Sequence, residues 1–230
     1  MNDLSGAAIA FDLDGTLVDT APDLIGVLNA MLTEHGLPVV PEAAARHLVG
    51  RGARHLLEHG FREAGAPWEE AAAPDLLDRF IALYFERIAV ESRPFEGVAD
   101  TLDRLRAAGA RLCVCTNKRT DLSVALLKAL GLDDRFEAIV GPDLVSRRKP
   151  DAAHLLEAIA LAGGDPARAV MVGDSEIDFQ AARAAGVPVI LVPFGYTEVS
   201  LAELDADLVE RFEDLPAVVE RLLSPAAYRS

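Results

Sequence analysis

The stretch Phe11-Asp-Leu-Asp-Gly-Thr-Leu17 follows directly on a short apolar run, Ala8–Phe11, and organises the rest of the chain. An apolar run of this length reads as a buried strand, and the polar residues behind it as the loop at its carboxyl end. Asp12 and Asp14 flank Leu13, so on an extended backbone their carboxylates project to the same side. Two carboxylates that close repel each other unless a cation lies between them or one takes up a proton. Gly15 permits a tight backbone approach that presents amide donors to an anion.

Working outward, the same strand-then-polar pattern recurs. Strand-like runs at Leu112–Cys115, Ala138–Val140, Ala169–Val172 and Val187–Val192 alternate with helical patterns near Thr101–Ala108, Asp121–Leu130, Asp151–Ala162 and Glu176–Ala185. The helices run out at Gly109, Gly131, Gly163 and Gly186, as left-handed helix ends require. The alternation predicts an α/β fold, a Rossmann-like parallel sheet covered by helices on both faces, with ligands beyond the carboxyl ends of the strands. Three further polar clusters should reach that edge: Thr116-Asn-Lys118, Arg147-Arg-Lys-Pro150 and Gly173-Asp-Ser-Glu-Ile-Asp178.

One interval breaks the alternation. Residues 18–93 show no strand pattern, only helical stretches: one from Thr20 to Gly36, then Pro41–Val49, Ala53–Ala64 and Glu69–Val90. The expected organisation is a catalytic core of residues 1–17 and 94–230 with a helical cap of residues 18–93 inserted after the first strand. Thr20-Ala-Pro-Asp23 resembles a capping box, so Asp19 and Thr20 read as helix capping rather than as substrate contacts. His47, Arg51, His55 and His59 recur every four residues, but Gly50 and Gly52 interrupt any helix that would line them up on a metal.

Composition narrows the partners. The 230 residues are 51% apolar and 26% charged, which describes a folded chain rather than a disordered one. A formal net charge of −15 disfavours nucleic acid and anionic membranes as partners. No apolar run reaches the ~20 residues of a membrane span. Met1–Gly6 carries no basic residue and does not read as a signal peptide. Cys113 and Cys115 share one strand face, which suits buried packing rather than a disulfide, and a cytoplasmic location is expected.

The clustered residues suit one kind of chemistry. Oxygen-rich, histidine-free groups such as Asp12, Asp14, Asp174 and Asp178 suit a hard cation, and Mg²⁺ in particular shares its shell with phosphate oxygens. Lys149 adds a fixed positive charge and Thr116 a hydroxyl donor for a phosphate oxygen.

Asp12-Leu-Asp-Gly-Thr16, Thr116, Lys149 and Gly173-Asp174 with Asp178 resemble, in order, the four motifs of the haloacid dehalogenase superfamily. The likeness spans nearly the whole chain. Within the superfamily, Leu17-Val-Asp-Thr-Ala-Pro-Asp-Leu24, Val49-Gly-Arg-Gly52 and Phe194-Gly-Tyr196 are similar to bacterial phosphoglycolate phosphatases. The resemblance implies that Asp12 is the nucleophile forming an aspartyl phosphate, and that Asp14 is the general acid and base. It implies Mg²⁺ on Asp12, the Asp14 carbonyl and Asp174, with Asp178 an outer or alternative ligand. Thr116, the Asn117 amide and Lys149 would hold the phosphate, with Gly15 and Thr16 on the substrate side. The substrate would be a small phosphorylated metabolite.

Rivals within that superfamily separate on single residues. Dehalogenases proper lack an aspartate at the position of Asp14, and phosphonatases need a cap lysine, whereas residues 17–93 contain none. A β-phosphoglucomutase-like phosphotransferase, or a pyrophosphatase or sugar-phosphate phosphatase, shares the core motifs and stays open. A phosphoacceptor receiver module would need neither Asp14 nor a cap. If the ester carries a carboxylate, Arg51, between two glycines in the cap, is the candidate clamp.

Overall fold

The computed structural model describes residues 3–197 and 199–224. Along the chain its strands are β1 (Ala8–Phe11), β2 (Val18–Asp19), β3 (Arg93–Pro94), β4 (Arg111–Cys115), β5 (Ala138–Val140), β6 (Ala169–Gly173), β7 (Val189–Leu191) and β8 (Asp207–Leu208). Its α-helices are α1 (Ala21–Glu34), α2 (Glu42–Ala45), α3 (Ala53–Glu63), α4 (Ala73–Glu86), α5 (Val98–Ala107), α6 (Thr120–Ala129), α7 (Ala152–Leu161), α8 (Glu176–Ala185) and α9 (Leu215–Leu222).

Six strands form one sheet in the order β5-β4-β1-β6-β7-β8, each neighbouring pair parallel, with β1 in the interior. Period-two alternation divides its side chains. Ile9, Phe11, Val114 and Val172 pack with Leu102 and Leu105 of α5 and Val219 of α9. Ala8, Ala10, Cys113, Cys115 and Met171 pack on the other face with Leu155 and Ile159 of α7. Both cysteines are buried and free, as their spacing implied. Register then positions the chemistry. Phe11 lies level with Val114 and with Val172, so the chain leaves β1, β4 and β6 at one edge. The covered parallel sheet expected from the alternation is therefore present, and Gly109, Gly131, Gly163 and Gly186 all take positive φ at helix ends.

Helices α1, α3 and α4 gather a third apolar cluster, including Leu28, Met31, Leu57, Phe61, Phe80 and Tyr84, joined from the sheet side by Leu122 and Tyr196. Several details differ from the sequence reading. Residues 18–93 are bracketed by a two-stranded pair, β2 antiparallel to β3, too short to leave any periodicity. The stretch expected to be helical over Pro41–Val49 is a single turn, α2, followed by a 3₁₀ segment, Arg46–Arg51. The expected helix Glu69–Val90 is shorter, and β8 and α9 at the far end of the chain went unread. Asp23 does not cap α1. Its buried carboxylate accepts hydrogen bonds from the Glu91 and Ser92 amides and the Ser92 hydroxyl, tying α1 to the returning chain. No helix among the described residues is long and apolar enough to cross a membrane.

Candidate active site

At the shared edge, Asp12 and Asp14 leave β1, Thr116, Asn117 and Lys118 leave β4, Lys149 precedes α7, and Asp174 ends β6. A cleft of about 370 Å³ opens above them toward α3 and α4. Its floor includes Asp12, Asp14, Thr116, Asn117 and Lys149, and its roof Arg51, Leu77, Phe80 and Tyr84. The structure thus brings Arg51 to the same cleft as the core motifs, though from the end of a 3₁₀ turn rather than from a loop. Gly15 and Thr16 lie behind the cleft rather than on it. A Cβ on Gly15, whose φ is +85°, would come within 2.5 Å of an Asp174 oxygen, and the buried Thr16 hydroxyl donates to Asp174 Oδ1 at 3.2 Å. Both residues act on Asp174 in this structure.

Asp12, Asp174 and Asp178 form a buried cluster with one oxygen from each within 4.8 Å of the others. Lys149 lies against it, with Nζ 3.0 Å from Asp12 Oδ1 and 2.6 Å from Asp178 Oδ1. Apart from this ion pair with Lys149, the buried Asp12 Oδ1 has no hydrogen-bond partner among the described residues. Asp178 is better satisfied. Its Oδ2 accepts from the Ser175 hydroxyl at 2.7 Å and from the Asp174 and Ser175 amides, closing a capping box at the start of α8. Asp178 is completely buried although it lies in the first turn of α8.

Titration follows from this packing. Burial raises the Asp12 pKa to about 6, with Asp178 adding to the rise and Lys149 opposing it. Burial, then the charges of Asp178 and Asp12, holds Asp174 well above the ordinary carboxylate range. For Lys149, burial favours the neutral amine, but Asp12 and Asp178 outweigh it and raise the pKa. His154 fixes the lysine's backbone: its Nδ1 accepts the Lys149 amide at 3.1 Å, and its Nε2 lies 3.1 Å from the Val140 carbonyl. Burial, then Lys149, lowers the His154 pKa to about 4, so the ring is neutral with its proton on Nε2.

A family model described as haloacid dehalogenase-like hydrolase matches residues 9–192. The chain is a haloacid dehalogenase-like hydrolase. It is 55% identical over 225 residues to the phosphoglycolate phosphatase of Caulobacter vibrioides, covering 97% of this chain and 95% of that one. It is 48% identical over 226 residues to the phosphoglycolate phosphatase of Agrobacterium fabrum, covering 97% of each. A crystal structure of a predicted phosphoglycolate phosphatase from Haemophilus somnus 129PT superposes with a TM-score of 0.85 at 29% identity, covering 94% of this chain and 98% of that one. This hydrolase is a phosphoric monoester hydrolase.

Its buried acids fit a divalent cation. Asp12, Asp174 and Asp178 face a single ammonium, Lys149, which leaves two negative charges uncompensated where water cannot screen them. Among the described residues Asp174 has no cationic partner, only the Thr16 hydroxyl and the Tyr196 amide at 2.7 Å. Gly195 lacks a Cβ where one would collide with that same carboxylate.

Sequence reasoning missed several residues of this hydrolase. Lys118 Nζ binds both Asp14 oxygens, at 3.0 and 3.1 Å, and although burial works against its charge, Asp14 raises its pKa above the ordinary lysine value. The Thr20 hydroxyl donates to Asp14 Oδ1 at 2.7 Å instead of capping α1, which has no side-chain cap. Asp19 does not cap either. It takes two hydrogen bonds from Arg46 and one from the Tyr196 hydroxyl, which itself accepts the Thr20 and Ala21 amides. The one available signal was placement: Lys118 follows Thr116 by two residues at a strand end, so both can face the same site. Of the Arg147–Pro150 cluster, Arg147 is exposed and pairs with Asp151 rather than reaching the site.

Proposed function

We propose that this hydrolase is a Mg²⁺-dependent phosphoglycolate phosphatase working through an aspartyl phosphate on Asp12. The observation carrying the reading is the under-compensated cluster of Asp12, Asp174 and Asp178 beside Lys149 at the floor of a cleft. It is supported by the two phosphoglycolate phosphatases that share about half their residues with the chain. Asp12, Asp174 and the Asp14 carbonyl would hold the metal, with Asp178, already engaged by Lys149 and the start of α8, as an outer partner. Bound Mg²⁺ supplies positive charge for the phosphate oxygens and holds the Asp12 carboxylate ionised.

The chain's own residues do the rest. An Asp12 oxygen attacks phosphorus in line with the ester oxygen; the P–O bond to the leaving group breaks, and Asp14 gives that oxygen a proton. Asp14, now a carboxylate, takes a proton from water as the water attacks the aspartyl phosphate, releasing phosphate and restoring Asp12. Lys149, the Thr116 hydroxyl and the Asn117 amide hold the phosphoryl oxygens while charge redistributes. Residues 18–93 act as a cap that closes over the leaving group and excludes water. Arg51 supplies positive charge to the end of the cleft that takes the substrate carboxylate. The enzyme works in the cytoplasm.

A panel of phosphate monoesters ranked by kcat/KM with Mg²⁺ tests this, and 2-phosphoglycolate should rank first. A sugar phosphate in first place would overturn the substrate. That second reading is favoured by one observation, a cleft of about 370 Å³, which is roomy for a two-carbon ester.

A further inference from the structure

Tyr84 and Lys118 carry an unfilled polar requirement inside the cleft. Tyr84 is fully buried on α4, lines the cleft, and its hydroxyl has no hydrogen-bond partner among the described residues. A buried hydroxyl without a partner is destabilising, so it calls for a ligand. Lys118 Nζ lies 4.5 Å from the centre of the Tyr84 ring, over its face. The ammonium has three N–H donors, and the two Asp14 oxygens take two of them. The third lies on the side of the Tyr84 hydroxyl, close enough for the two groups to interact, while the hydroxyl's own proton has no acceptor among the described residues. The lysine side chain is only 6% exposed, so water does not fill the role freely. Burial raises the tyrosine pKa to about 12, which keeps its hydroxyl a donor.

We infer that the Tyr84 hydroxyl and the third N–H of Lys118 form the receiving site for the carboxylate of the leaving group. This rests on the phosphoglycolate reading and deepens it. Lys118 belongs to the loop after β4 and Tyr84 to α4, so a carboxylate bound between them fastens the helical block to the sheet edge. The same ammonium touches Asp14, so binding aligns the leaving group with the residue that must protonate it. Lysine suits this post because a compact charge with rotating donors can serve two carboxylates at once. Arg51, on the same cleft, supplies the second positive charge that two carboxylates require.

The test compares kcat/KM for 2-phosphoglycolate and for ethyl phosphate, which has the same two carbons and no carboxylate. Tyr84→Phe removes only an unpartnered hydroxyl, so it should fold with an unchanged or higher Tm. It should lower the preference for 2-phosphoglycolate about 10-fold, and Lys118→Met should lower it about 100-fold. Lys118→Arg should restore part of the preference. A merely structural role would depress both esters alike. Wild-type discrimination that survives intact in Tyr84→Phe overturns this inference and leaves the phosphoglycolate reading standing. Equal rates for the two esters in the wild type would overturn both.

Discussion

At the floor of the cleft and buried beneath it, Asp12, Lys149, Asp174 and Asp178 are held by ion pairs or hydrogen bonds and shut off from solvent, Asp12 apart from a small cleft-facing edge. On the roof, Arg51 and Arg54 are exposed among Leu56, Leu77 and Phe80. The floor concentrates like charge in a place that costs stability and is relieved by a cation or by protonation. The roof offers apolar contact and the exposed charge of Arg51, Arg54 being paired with Glu70. The division follows from the reaction: every ester shares the phosphoryl group, and only the leaving group differs. Substitutions of Asp12, Lys149, Asp174 or Asp178 should therefore act on all esters alike, and roof substitutions on some.

Asp12→Asn is the most severe way to probe the floor. Turnover should fall by at least about 10⁴-fold for every ester, because no second nucleophile is in place. Near-normal turnover with any ester would break the comparison. Asp14→Asn should cost about 10²–10⁴-fold, the usual range for a lost general acid or base. The loss in phosphoenzyme formation should be smaller for p-nitrophenyl phosphate, whose leaving group needs little protonation. Single-turnover kinetics would show this, and equal losses for that ester and an alkyl phosphate would count against the assignment.

On the roof, Arg51→Ala should lower kcat/KM for 2-phosphoglycolate by about one to two decades and leave p-nitrophenyl phosphate nearly untouched. A parallel fall for both esters would erase the distinction between floor and roof.

The smallest effect is on stability. Without metal, the folded cluster holds protons that the unfolded chain has released once pH exceeds about 4, because burial raises Asp12 to about 6. Stability then falls as pH climbs through that window. A bound cation needs the ionised acids and gains as they deprotonate. Mg²⁺ should thus raise Tm more at about pH 7.5 than at about pH 5. His154, held neutral down to about pH 4, pushes stability the other way, but equally with and without metal, so it cancels in the difference. Asp174→Asn should abolish the Mg²⁺ response without lowering the metal-free Tm. An undiminished response in that variant would remove the cluster from metal binding.

The same contrast explains what could be read in advance. Asp12, Thr116 and Asp174 were legible because each sits where a short apolar run ends, and register in a parallel sheet brings such ends together, whereas Lys149, in the loop between β5 and α7, was legible through the ordered motifs. Strands of three to five residues with both faces buried leave a plain apolar signature. Lys118, Thr20 and Tyr84 were not legible, because their roles depend on how residues 18–93 lie against the sheet, and no local spacing encodes that. Thr20 shows the trap clearly. At the head of a helix a threonine reads as a cap, yet its hydroxyl has Asp14 within 2.7 Å and turns there. β2 and β3 were missed for a simpler reason, since two residues hold no period.

The most direct test is to trap the phosphoenzyme. The enzyme, mixed with 2-phosphoglycolate and Mg²⁺ and quenched within one turnover, would be treated with borohydride, which reduces an acyl phosphate to the alcohol, and mapped by peptide mass spectrometry. Covalent catalysis at Asp12 predicts homoserine at position 12 and unaltered aspartate at positions 14, 174 and 178. Reduction at another of these aspartates, or no reduced residue while phosphate is released, would contradict it.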